Sequence, residues 1–283
     1  MRTTALLVAA LASLLSHALP AQAQIRVFVS GSGSDSNPCT FASPCRSFQQ
    51  AFNTAPVNGE IDVLDPAGYG ALTITHGISI QAHGFGGITQ AAINATAINV
   101  SAGTSDAITL NGLLIDGAGT GEYGIVINSG GSVQILNCVI RNFELGILDQ
   151  PTTESANLLI ADTVASDNSA TGIMIDPMGG GTPVATLSRI TANNNPYGVR
   201  DVAGTVMIAN SVLSNNSYSG LFNYTGTTTW LAKSVISGNG YDGEPGASGV
   251  YVYGGQVNSY GDNAINGNAT DIYPGSLTKV STE

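Results

Sequence analysis

Asp176, Arg200, Phe222, Tyr224, Tyr251 and Tyr253 are the side chains in this sequence best suited to holding a ligand, a carboxylate and a guanidinium next to four aromatic rings. Aromatic rings flanked by hydrogen-bonding groups suit sugars, whose C–H faces pack on π systems while their hydroxyls seek polar partners. A second chemistry would use Asp149, Asp176 and Asp201 as calcium ligands around Arg200. Calcium needs several oxygens converging on one point, and an arginine beside it can take a proton or neutralise an acidic substrate. Hydrolysis needs two carboxylates facing each other across a bond, and Asp176 has no such partner in the neighbouring repeat. Cys138 would need a histidine to act as a nucleophile, and His76 and His83 lie some repeats upstream, so it reads as a small buried apolar residue.

What places these residues is a repeat. Gly followed by apolar residues opens a strand at Gly124, Gly146, Gly172, Gly198, Gly220 and Gly249, at spacings of 22, 26, 26, 22 and 29. Within each period a second strand and an Asn-rich turn recur, as in Ile135–Asn142, Ile160–Asn168, Leu187–Asn194, Ile208–Asn216 and Leu231–Asn239. Such a unit cannot bury its own apolar side, but stacking on its neighbours buries a continuous core. Like residues then fall about 4.8 Å apart, and Asn columns suit the turns because Asn tolerates left-handed backbone and its amides bond above and below.

The expected architecture is therefore all-β, one right-handed parallel β-helix of about nine coils, with weaker coils upstream at Ile61–Val63, Leu72–Ile74, Ile78–Ile80, Ala97–Val100 and Ile108–Ile115. With Ile125, Ile147, Ile173, Val199, Leu221 and Val250 pointing inward, the outward column reads Val126, Leu148, Met174, Arg200, Phe222 and Tyr251. Two residues later it continues as Asn128, Gln150, Asp176, Val202, Tyr224 and Tyr253, and in this phase Asp149 and Asp201 point inward. Ser43-Pro44, with Phe48, Ala51, Phe52 and Ala55 at helical spacing, predicts a short helix capping the N-terminal end of the core.

Arg2, the apolar run from Ala5 to Leu15 and Ala21-Gln22-Ala23 read as a cleaved signal peptide over 1–23, followed by a single domain over 24–283. That domain divides into an N-terminal strand, loop and helix over 24–58, coils over 59–272 and a tail over 273–283. The implied location is secreted or periplasmic, with no membrane anchor, since no stretch reaches the roughly 18 apolar residues of a spanning helix. In such a compartment Cys39 and Cys45 are expected to close a small disulfide loop. A net charge of −11, from 19 acidic residues against 8 Lys and Arg, repels phosphate backbones and excludes nucleic acid as a natural partner. The sequons at Asn94, Asn99, Asn215, Asn223 and Asn268 read as turn residues.

Val27–Asp35, Asn37-Pro38-Cys39, Ser43–Phe48 and Gly59–Pro66 together resemble the N-terminal segment of secreted bacterial right-handed β-helix repeat proteins of the pectin-lyase-like superfamily. That resemblance implies the fold for essentially the whole mature chain. The superfamily includes pectate lyases, polygalacturonases, alginate lyases and epimerases alongside adhesins and tailspikes. The Asn-Thr-Asp, Asp-Asp and Gly-His-Gly set of polygalacturonases and the Asp-Pro-His-Asp of mannuronan epimerases are missing from this chain. The expectation is a non-catalytic β-helix that recognises a polysaccharide or serves as an interaction scaffold, without a cofactor. The alternative is a polysaccharide lyase acting on an acidic glycan through Arg200, with calcium.

Overall fold

In a computed structural model, residues 26–152, 157–178 and 183–281 are described. The signal peptide expected over 1–23 lies outside them. The chain is a parallel β-helix. Its first ladder has eleven strands, from Arg26–Val29 through Gly59–Val63 to Thr278–Lys279. Between its two end strands lie nine complete turns, each adding one strand to a first, a second and a third ladder. Leu114–Ser129 and Val139–Asp149 run unbroken from the second ladder into the third, which joins those two ladders into one sheet.

Every coil satisfies its backbone on the coils above and below, so side chains of one column meet in register. In the first ladder Val27, Ile61, Ile80, Leu110, Ile135, Ile160, Leu187, Ile208 and Leu231 stack one on the next, all buried. In the third ladder Leu72, Ile98, Ile125, Ile147, Ile173, Val199, Leu221 and Val250 do the same. These columns are the core. Burying a side chain of this size contributes roughly 1.5–3 kcal/mol relative to exposure, and one core runs the length of the coil stack.

The Asn columns hold the bend between the second and third ladders. Asn142, Asp167, Asn194 and Asn215 take left-handed backbone there, with φ of 61, 57, 56 and 55°. The following column turns its amides inward. Asn168 donates through both its backbone N–H and Nδ2 to Asn195 Oδ1, Asn195 to Asn216 and Asn216 to Asn239, all at 2.9–3.2 Å. The remaining Nδ2 hydrogens of Asn195, Asn216 and Asn239 go to the carbonyls of Ala165, Ala192 and Leu213. The row ends where Asn268 donates to the Asp271 carboxylate at 3.0 Å. From Gly146 onward this row also explains the glycine that opens each strand. A Cβ at Gly198 would sit 2.6 Å from the Gly220 carbonyl and 2.8 Å from Asn216 Nδ2, so no side chain fits there.

A helix, α1 (Phe48–Thr54), covers the N-terminal end with Phe48, Ala51 and Phe52 buried. Its cap is Ser47, whose hydroxyl accepts from Gln50 N–H at 3.2 Å, and not Ser43 as the Ser-Pro pair suggests. The reason lies upstream. Cys45 is held extended by donating its N–H to Phe28 C=O, and Asp35 Oδ1 accepts from the N–H of Arg46 and Ser47 at 2.9 Å each. The helix can start only after those residues. Cys39 and Cys45 form the expected disulfide. Among the described residues no helix is long and apolar enough to cross a membrane.

Asn216→Ala strips Asn195 of the acceptor for two of its donors while leaving the strands intact. Loss of a buried hydrogen-bonded partner costs about 1–3 kcal/mol. The urea midpoint of the variant is therefore expected to fall clearly, whereas an unchanged midpoint would mean the amide row adds nothing.

Candidate functional site

The outward face of the third ladder carries most of the candidate residues in one strip. Arg200 pairs in register with Phe222, Phe222 with Tyr251, and Tyr224 with Tyr253, so the alternation read from the sequence holds for these strands. Phe222 and Tyr251 meet edge to face at 4.6 Å, Phe222 and Tyr224 at 4.9 Å, and Tyr224 and Tyr253 at 5.4 Å between ring centroids. Separations in this range are those at which aromatic pairs attract beyond simple burial. Phe222 is not an open platform, however. The surrounding tyrosines cover it to 7% exposure, and the surface offered to solvent is theirs, with Tyr253 at 51%.

Three further rings belong to the strip and were not singled out from the sequence. Tyr273 extends it beyond Tyr251 at 5.3 Å. Tyr197 and Tyr218 close its other flank, 4.9 Å from each other, with Tyr197 edge-on to Phe222 at 5.5 Å. Strict alternation assigns Tyr197 to the inward phase of Val199 and Asp201. Its ring nevertheless joins the outward strip, packing on Tyr218, Phe222 and the Arg200 guanidinium. An aromatic directly before an opening glycine, Tyr123-Gly124 or Tyr197-Gly198, is the signal that would have found it. Burial raises the hydroxyls of Tyr197, Tyr218 and Tyr251 above the ordinary tyrosine value, which keeps them neutral donors.

Arg200 lies among these rings, its guanidinium 4.8 Å from the Tyr197 centroid and 5.9 Å from those of Phe222 and Tyr224. Stacking of this kind favours a cation where its hydration is thin. Its Nε is buried and makes no hydrogen bond among the described residues. Asp176 does not pair with it. Met174 is the residue in register with Arg200, one coil away, and Asp176 continues past it at the strand end, so the ionic patch expected from the sequence is absent as an ion pair among the described residues.

Asp149 and Asp201 face the interior and are fully buried, whereas Asp176 is on the outer side. They share one interior column, in the order Ile127, Asp149, Ile175, Asp201, Asn223. The three carboxylates therefore do not converge on one point, and no group of three His, Cys, Asp or Glu side chains among the described residues is placed to hold a metal ion. Asp201 Oδ2 accepts from Thr229 at 2.7 Å, and burial pushes its carboxyl up to about 6. Among the described residues Asp149 has no hydrogen-bond partner at either oxygen, and it lies between two isoleucines, so burial alone pushes it up to about 7. Cys138 is buried, donates to Leu136 C=O at 3.1 Å and is pushed up to about 11, which makes it an unreactive thiol. His76 stacks on Phe52 of α1, and His83 contacts Asp62 at 2.6 Å near the start of the first ladder, both remote from Cys138 in the coil order.

No family model matches the sequence, and no curated protein matches it. Among solved structures, the chain is similar to pectate lyase Pel9A, with a TM-score of 0.56 and 15% identity over 92% of this chain and 78% of that one. It is also similar to the A-module of the Azotobacter vinelandii mannuronan C-5 epimerase AlgE4, with a TM-score of 0.47 and 20% identity over 71% and 67%. The match to the pectate lyase, over most of both chains, gives this chain a right-handed parallel β-helix fold.

The buried carboxylates make stability depend on pH in a definite sense. Unfolded, Asp149 titrates near 3.8, and folded near 7, so the folded state holds the proton more tightly and loses stability as pH rises between those values. Asp149→Asn removes that loss. Unfolding free energies of the variant and the parent from urea titrations are expected to lie closest at about pH 4, with the variant ahead at about pH 8 by on the order of 4 kcal/mol. A gap that does not grow with pH would contradict the assignment.

Proposed function

We propose that this parallel β-helix is a secreted, non-catalytic protein that recognises a polysaccharide along the outer face of its third ladder. The observation that carries the reading is the contiguous strip of Tyr197, Tyr218, Phe222, Tyr224, Tyr251, Tyr253 and Tyr273, with Arg200 among the rings. Successive rings fall on successive coils, so the strip runs along the solenoid axis and suits an extended chain of repeating units. Exposed tyrosines give large, stiff contact area with a hydroxyl at the rim, the combination a pyranose ring calls for. The signal-like segment at 1–23 and the Cys39–Cys45 disulfide support an oxidising, extracytoplasmic location.

A lyase is the second reading, favoured by the pectate lyase activity named for Pel9A and by the free Nε of Arg200. Against it, Arg200 has no carboxylate partner among the described residues, and Asp149 and Asp201 are turned into the core. A role as a rigid interaction scaffold needs neither the rings nor the arginine to touch sugar.

A glycan array followed by calorimetry separates the three. Binding to a polysaccharide is expected, with Tyr251→Ala weakening it roughly tenfold through loss of one stacking ring. No ultraviolet absorbance from unsaturated uronate products is expected on pectate or alginate, with or without calcium. Absorbance abolished by Arg200→Ala would establish the lyase, and absence of binding to any glycan would leave the scaffold.

A further inference from the structure

The third face does not begin with the aromatic strip. Three to four coils towards the N-terminal end, the outward column of the same ladder floors a cavity of about 510 Å³, within the range of about 300–1,000 Å³ in which pockets bury small ligands. Among the described residues its lining contains no charged side chain. Val126, nearly fully buried, forms an apolar floor. Gln49 of α1 closes one end, its Oε1 accepting from Thr73 N–H at 2.9 Å, and Tyr123 contributes one wall.

Three amides, one per coil, cross the cavity in a row. Gln150 Nε2 donates to Asn128 Oδ1 at 3.1 Å, and Asn128 Nδ2 donates to Asn99 Oδ1 at 2.6 Å. Among the described residues, Asn99 Nδ2 and Gln150 Oε1 are left at the two ends without partners. A row of amides always ends this way, with a free donor at one end and a free acceptor at the other, whichever way the amides are turned. A hydroxyl both donates and accepts and so satisfies either end, whereas a carboxylate only accepts and would bring a negative oxygen against Gln150 Oε1. The rim adds to this bias. The Tyr123 hydroxyl is pushed up to about 12, first by hydrogen bonding to Glu122, then by burial and by the charges of Glu122 and Glu144. Negative charge therefore acts on this wall from Glu122 and Glu144 outside the lining, which holds no Lys or Arg among the described residues.

We propose that this cavity is a binding subsite for an uncharged sugar unit, so that the glycan on the third face is neutral where it enters the cavity. The proposal rests on the polysaccharide reading above and deepens it. Val126, Leu148, Met174, Arg200 and Phe222 follow one another in register, one coil each, so the cavity floor and the aromatic strip are about 20 Å apart along the axis. One extended chain reaches both.

The test is calorimetry on the full chain with neutral hexasaccharides of glucan and mannan type, oligogalacturonate of the same length and a chitosan hexamer. At least one neutral hexasaccharide is expected to bind about tenfold or more tightly than either charged one. Asn128→Ala and Gln150→Ala, both surface changes outside the core columns, are each expected to weaken that binding by about fivefold to tenfold. Tighter binding of the uronate or amino sugar would overturn the proposal. So would neutral binding that neither amide variant alters. If Tyr251→Ala still weakens binding in that case, the aromatic strip stands and only the cavity assignment falls, whereas silence from every glycan removes both.

Discussion

Each coil of this molecule is completed by its neighbours. Its backbone groups find partners only on the rungs above and below, and so do its core side chains and the amides in its turns. Everything else follows from that register. It makes an interior residue one of a column, so Ile and Leu recur where the column is dry and Asn recurs where the bend needs donors and acceptors at each level. It turns an outward position into a track, because a substitution in one repeat becomes a neighbour of the same position in the next.

The interior also carries costs that the apolar columns must offset. Asp149 and Asp201 sit where every other consideration would place an Ile, and the first has no partner among the described residues. Burial of this kind keeps the carboxyl protonated well above its usual range, so the molecule tolerates it better in mild acid than in alkali. The Asn row is the opposite case, a buried polar column in which nearly every donor is used, closed at its last member by Asp271. Both are polar groups in one core, and satisfaction of their hydrogen bonds decides which one stabilises.

The coils from Gly124 onward were legible in the sequence because identical chemistry recurs at each level, and the phase of Val199 or Leu221 then fixes Arg200 and Phe222 as outward. That same phase correctly turned Asp149 and Asp201 inward. What escaped the reading lies where period two fails. Tyr197 and Tyr218 stand at turn exits, where a residue's direction is set by the left-handed turn before it and not by alternation. The helix cap shifted from Ser43 to Ser47 because the Arg46 and Ser47 N–H groups donate to Asp35, eleven and twelve residues upstream, and keep that backbone out of the helix. The amide-lined cavity draws Thr73, Asn99 and Tyr123 from the early coils, whose spacing is too irregular to align by eye.

The central claim is that register turns the third ladder's outer face into a sugar track. A crystal structure of the protein with a bound neutral hexasaccharide tests it most directly. The account requires sugar density lying along the coil axis, with rings against Tyr251 and Tyr253 or hydroxyls against Asn99 and Gln150. Density confined to the first or second ladder, or a chain running across the coils, would contradict it.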